Sequence, residues 1–273
     1  MITRMVAAAV RAFLVALLVA TPALLLPGTR VETTQMIALI GLLAAILTFV
    51  EYLAESPSLI EFRAAPPFNR IRFASLAVTV GLLTLICRGD MAPTPLTQAL
   101  AGFGTMIGTA MDFPFSPVRL MLLVAADDEA TDKIRSLAGL AYVISLVTLL
   151  SFVALVRLLD WPLRSGAFNF WINLPLYDPT TGGDILMRLK RDSHVNVALG
   201  FLLPFMIPAV LKIAAVYATP LALADTQTLI WTISAWAFLP ASLIMRGVAL
   251  MRIADLIEEK RRRAYAQADL QAA

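Results

Sequence analysis

The chain is predicted to be an all-α, polytopic membrane helix bundle with six transmembrane helices, and three observations predict it. Fifty-nine percent of its 273 residues are hydrophobic and fifteen percent charged, against roughly 45–50% and about 25% in soluble domains. The apolar residues gather into six runs, each long enough to cross a hydrocarbon core of about 30 Å, which takes about 20 residues of helix. Lys and Arg fall mainly on alternate connecting segments, as expected of a chain oriented by the positive-inside rule.

The first run, 8–27, follows Arg4 and carries Arg11 near its start. It has no clean small-x-small site before Gly28, so it reads as an uncleaved span rather than a removed leader. The second and third runs are 34–53 and 71–88, the latter the shortest. The runs 99–111 and 118–126 are too short to cross and are separated by Pro114 and Pro117. Residues 95–126 are therefore expected to form a re-entrant or an interfacial helical pair, and either arrangement preserves the parity of the later spans. Gly104-x-x-x-Gly108 in the first of these runs lets another helix approach closely. The remaining spans are 136–156, 195–217 and 227–247, with Pro204 and Pro208 interrupting the fifth and Pro240 the sixth.

Residues 1–247 thus form one transmembrane bundle. Beyond it, Val248, Ile253, Leu256 and Ile257 alternate with Asp255, Glu258, Glu259 and Lys260, so 248–273 is expected to be a cytoplasmic basic amphipathic helix and tail. Glu258 and Arg262, four apart, are expected to pair. Three spans plus three inverted spans is a recurrent transporter plan, but no motif recurs between 1–88 and 136–247.

Placing the N terminus in the cytoplasm puts sixteen basic residues on cytoplasmic segments and five on outer ones, with Lys212 inside a span. Both termini are accordingly expected in the cytoplasm. The expected location is a bacterial inner (plasma) membrane, in keeping with a basic complement of eighteen Arg and four Lys.

The same residues exclude several kinds of function. A net charge of +3 scattered over loops and tail is no nucleic-acid footprint. Cys87 is the only cysteine, which rules out an intrachain disulfide or a thiolate cluster. His194 is the only histidine, which rules out bis-histidine haem or metal ligation. Walker, nucleotide-binding glycine, nucleophile-elbow and His-Glu-x-x-His patterns are absent, so neither an enzyme nor a cofactor is expected. The run Asp127-Asp128-Glu129-Ala130-Thr131-Asp132 resembles the acidic motif of some prenyl-transferring enzymes, but the second motif is missing. Directly before the fourth span, it is expected to cap a helix and offset its dipole.

Candidate contacts collect on the cytoplasmic side. In the segment 51–73, Phe62, Phe68 and Phe73 alternate with Arg63, Arg70 and Arg72 around Pro66-Pro67, the residue types that anchor protein interfaces. The long loop before the fifth span offers Trp171 and Tyr177, followed by Arg188, Lys190, Arg191 and His194. These suit anionic head groups or a protein surface. Pro204 and Pro208 mark a polar break inside a span. The expected role is an accessory, assembly or regulatory component of a membrane complex, in contact with membrane lipids and with a membrane-protein partner or a second copy. A transporter with a site at the Pro204/Pro208 break and a lipid-processing enzyme are the alternatives.

Overall fold

The computed structural model describes residues 2–28, 31–56, 58–125, 127–162, 168–175, 184–217 and 225–272, the side chains of 170, 171, 215–217 and 268–272 excepted. Most of these residues are helical, with no strand among them. The helices are α1 (Ile2–Leu25), α2 (Val31–Leu53), α3 (Phe68–Met91), α4 (Pro95–Met111), α5 (Pro117–Met121) with a 3₁₀ turn at Leu122–Val124, α6 (Asp128–Leu158), α7 (Phe170–Asn173), α8 (Ile185–Tyr217) and α9 (Thr226–Ala272). Six of them, α1, α2, α3, α6, α8 and α9, are long and apolar enough to cross a membrane. They coincide with the six apolar runs, and the chain is a multi-pass membrane protein.

Helix starts follow local chemistry rather than the edge of the apolar run. The Asp127 carboxylate accepts the Ala130 N–H at 2.7 Å and Asp128 and Glu129 fill the first turn, so α6 begins well ahead of its apolar stretch. Thr94 and Thr97 form a reciprocal cap before α4, with Pro95 at its first position. Ser116 caps α5 in one direction, accepting the Arg119 N–H at 3.0 Å.

Arg4 donates to the Ala54 carbonyl at 3.1 Å and Arg261 to Asp184 at 3.0 Å, so the chain start, the 54–67 loop, the start of α8 and the C-terminal part of α9 share one end of the bundle. It is the basic end; α4 and α5 lie at the far end. Helices α3, α6 and α9 enclose a core of Val80, Leu83, Leu137, Leu140, Ile230, Ile233 and Trp236, with a buried hydrogen bond of 2.8 Å from Thr148 to Ser75 joining α6 and α3. Helix α8 lies tightly along α9: a Cβ on Gly200 would sit 2.6 Å from the Pro240 carbonyl oxygen and one on Gly247 2.8 Å from that of Ser193. Ser193 also donates to the Gly247 carbonyl at 2.7 Å. Among the described helices, α2 packs only against α1.

The short runs at 95–126 form α4 and α5, and neither is among the six helices long and apolar enough to cross a membrane. Along α4, Thr97 abuts Gly89, Gly104 abuts Ile86 and Ser136, and Gly108 abuts Arg135 and Ser136. Those partners all lie in the last turns of α3 or the first turns of α6, so α4 lies across the far end instead of descending between the spans. A Cβ on Gly139 would come within 2.5 Å of the Gly108 Cα, which is the close approach the glycine spacing allows, made within the chain. Asp112, just past α4, is clamped by Arg119 at 2.7 Å and Arg135 at 2.8 Å.

Helix α9 runs without a break through residue 247, and Ile253 and Ala254 beyond it are buried. Glu258 pairs with Lys190 of α8 at 2.7 Å in place of the expected Arg262, since α8 offers its ammonium directly across the helix pair.

Candidate anion-binding cavity at the basic end

The 54–67 loop is folded by its polar residues. Glu51, in the last turn of α2 and only 6% exposed, accepts the N–H groups of Ser58, Leu59 and Ile60 at 3.1, 2.9 and 3.1 Å, and the Ser58 hydroxyl. Arg63 reaches back to the orphan carbonyls at the end of α2, donating to Glu51, to Ala54 at 2.8 Å and to Glu55 at 3.2 Å. Burial, and then the charge of Arg4, push the Arg63 guanidinium below the usual arginine value. Downstream, Asn173 takes the Phe62 N–H on its carbonyl at 2.7 Å and the Ala64 N–H on its side chain at 2.9 Å.

Aromatic packing holds the rest. Phe62 lies 4.6 Å from Phe68, Phe68 5.3 Å from Phe152 and Phe152 5.5 Å from Trp161, ring centre to ring centre, and Trp161 donates to the Ala65 carbonyl at 3.3 Å. Such pairs each add about 0.5–1.5 kcal/mol beyond burial. The loop thereby delivers Glu61 to Arg246 of α9, which it grips with both oxygens at 2.5 and 2.7 Å.

Behind this loop is a cavity of about 920 Å³. It is walled by Ala7, Val10, Arg11, Leu14 and Val15 of α1, Thr48 and Tyr52 of α2, Leu59, Ile60 and Glu61 of the loop, Asn69, Arg70, Arg72 and Phe73 of α3, Asn196 of α8, and Leu243 and Arg246 of α9. The wall mixes four arginines with apolar side chains, among them Leu14 of α1, Phe73 of α3 and Leu243 of α9.

Four arginines face one carboxylate here. Arg246 is bound to Glu61; Arg11 lies over the Tyr52 ring at 4.7 Å and donates to the Ala7 carbonyl at 2.8 Å; Arg70 is exposed. Arg72 is the unsatisfied one. Its guanidinium lies 5.5 Å from the Phe68 ring and 5.8 Å from the Phe238 ring, and its buried Nε has no hydrogen-bond partner among the described residues. A cation over a ring gains about 0.5–1 kcal/mol at exposed sites and about 2 when desolvated. A buried donor left unsatisfied costs about 1–3 kcal/mol, more when charged. The two rings hold Arg72 in place without supplying the acceptor it lacks.

The sequence-predicted residues separate in space. Arg70 and Arg72 line the cavity. Arg63 is spent on the end of α2, and Phe68 is buried at 1% exposure instead of serving as a surface anchor, because the loop folds its rings inward against α6 and Trp161. Lys190 is engaged by Glu258, Arg188 is half-buried and Arg191 is exposed beside Asp192. His194 points its Nδ1–H at the Lys190 carbonyl, 2.7 Å away. It lines a separate groove of about 740 Å³ on the other side of the α8–α9 pair, with Arg157, Arg252, Asp160 and Asp255. Tyr177, with Arg30 and Arg164, lies outside the described residues, as does the Trp171 side chain.

At the Pro204/Pro208 break, Pro208 has no N–H to give the Pro204 carbonyl, and the Trp236 indole N–H fills the place at 3.0 Å. The crevice beside it is about 200 Å³ and mostly apolar. Asp127 caps α6 and Asp132 binds Arg135, so the acidic run does not converge on a site. No group of three or more metal-ligating side chains forms among the described residues. Sequence reasoning missed Arg11, Tyr52, Glu61, Asn69, Asn196 and Arg246; an arginine on each of three helices, all near the basic end, was the available signal. Comparison with family models, curated proteins and solved structures finds no match.

Proposed function

We propose that this multi-pass protein captures an anionic amphiphile from one leaflet of its membrane and works by binding, without catalysing a reaction. The charge of the cavity wall carries the reading: Arg11, Arg70, Arg72 and Arg246 line it together with apolar side chains of α1, α3 and α9, and of the four only Arg246 has a carboxylate at ion-pair distance among the described residues. An anionic head group pairs with the guanidinium groups and a hydrocarbon chain lies against the apolar side chains. The sixteen-to-five distribution of basic residues supports a cavity at the cytoplasmic leaflet with both termini in the cytoplasm, and the proposed membrane is a bacterial inner membrane. In that position the protein holds a lipid for, or reports it to, a membrane complex.

The test is the lipid that accompanies the protein. Purified in a neutral detergent and examined by native mass spectrometry, the wild type retains anionic lipid, and Arg72→Gln loses it while remaining folded. Retention of neutral lipid alone, or equal retention by the variant, overturns the reading.

A second reading, docking of a protein partner, rests on α9. Its 47 residues make about 70 Å of helix against a hydrocarbon core of about 30 Å, and the exposed Lys260, Arg261, Arg262 and Arg263 lie on the projecting part. Cross-linking from that segment in native membranes separates it from the first reading. The transporter alternative gains no support from the closed, mostly apolar surroundings of Pro204, and the enzyme alternative none from the dispersed acidic run.

A further inference from the structure

We infer that the cavity selects an amphiphile with a multiply charged head group, a phosphomonoester or diphosphate, over the singly charged phosphodiesters of bulk anionic phospholipid. The inference rests on the reading of the cavity as an anionic-amphiphile site and asks which anion fits it.

The charge inventory carries it. Of the four arginines lining the cavity, only Arg246 has a carboxylate at ion-pair distance among the described residues, its partner Glu61 being the one acidic residue among those that line the wall. Arg11, Arg70 and Arg72 have none among the described residues, and Arg11 spends one N–H on a neutral carbonyl. Three guanidinium groups without an ion-pair partner thus line one cavity beside a single carboxylate, and their like charges repel. A phosphodiester brings a single negative charge and leaves most of that repulsion standing. A phosphomonoester carries about 1.5–2 negative charges near neutral pH and three acceptor oxygens, enough to bridge guanidinium groups on different helices through charge-assisted hydrogen bonds. The donors come from α1, α3 and α9, so one compact head group draws on three helices at once. Glu61 is the internal rival. Its two oxygens already occupy Arg246 as a bidentate anion would, and an incoming phosphate competes with it for that guanidinium.

The experiment compares head groups on identical chains. The full-length protein is placed in nanodiscs of phosphatidylcholine doped with dioleoyl phosphatidic acid or dioleoyl phosphatidylglycerol, and occupancy is read by native mass spectrometry. The expected result is a preference for phosphatidic acid of about tenfold or more. Arg70→Gln, an exposed substitution that leaves the packing intact, should reduce the preference, and Glu61→Gln should raise it. Equal occupancy by both lipids overturns the inference and leaves the anionic-amphiphile reading intact. Occupancy by neither above phosphatidylcholine overturns both. Inorganic diphosphate in solution binding as tightly as phosphatidic acid would show the apolar side chains of the wall to be irrelevant, overturning a lipid source.

Discussion

The indole N–H of Trp236 on α9 donates to the carbonyl of Pro204 on α8, 3.0 Å away, the same carbonyl that Pro208 leaves without a helical donor. A defect in one helix is thus repaired by a side chain of the next, and Trp236 is itself buried and stacked 5.9 Å from Tyr142. Trp236→Phe should destabilise the protein by about 1–3 kcal/mol, the penalty of an unsatisfied buried acceptor. Pro208→Ala restores the backbone donor, so the double variant should recover part of that loss. Thermal unfolding of the four proteins in detergent measures the coupling.

The Gly108–Gly139 crossing tolerates no side chain. Gly139→Ala places a Cβ 2.5 Å from the Gly108 Cα, forcing α4 off α6 at a cost of about 1–3 kcal/mol. Gly81 in α3 has no atom within 4 Å of its would-be Cβ. Gly81→Ala should therefore be neutral or stabilising by about 0.5–1 kcal/mol, since alanine restricts the unfolded backbone. A calorimetric comparison giving the opposite order would refute this packing.

Glu51 organises the loop that roofs the cavity. Glu51→Ala strands the N–H groups of Ser58, Leu59 and Ile60 together, with an expected loss of about 3 kcal/mol. Hydrogen exchange should quicken at 58–64 first, with the α3–α6 core still protected. Uniform acceleration throughout the protein would contradict a local role.

Asp184 answers to pH in a defined direction. The Arg261 hydrogen bond, aided by the Leu186 N–H, holds its carboxyl below the usual aspartate value. A depressed value means that the Asp184–Arg261 link is fully present above the ordinary aspartate pKa of about 3.9 and is lost as pH falls through the lower, folded value. A carboxyl-carbon NMR titration should give a midpoint under the ordinary one, and Arg261→Gln should raise it toward that value. Equal midpoints in the two proteins would dissolve the pairing.

The membrane-spanning part of the fold was legible because hydropathy is a property of each segment alone. Six runs gave six helices, and the glycines of α4 announced a close contact. Which helix filled that contact was not legible, because Gly139 sits in a long apolar run where nothing distinguishes it from its neighbours. The cavity was half legible. Arg70 and Arg72 stood out as loop-adjacent basic residues, while Arg11 and Arg246 looked like cytoplasmic markers until α1 and α9 were brought beside α3. Phe68 misled because aromatic and arginine alternation describes a surface anchor and an inward-folded loop equally well; only Trp161 and Phe152, far away in sequence, decide between them.

Helix α2 touches α1 and no other described helix, whereas α1 also packs against α3 and α9 and puts Leu18 into the core. The second helix is therefore an outer layer, held through α1, through Arg4 at Ala54 and through the Glu51 and Arg63 network of the loop that follows it. Leu39, Leu43, Ile46 and Val50 on it are exposed, so its apolar surface is left to the hydrocarbon around the protein rather than to the core.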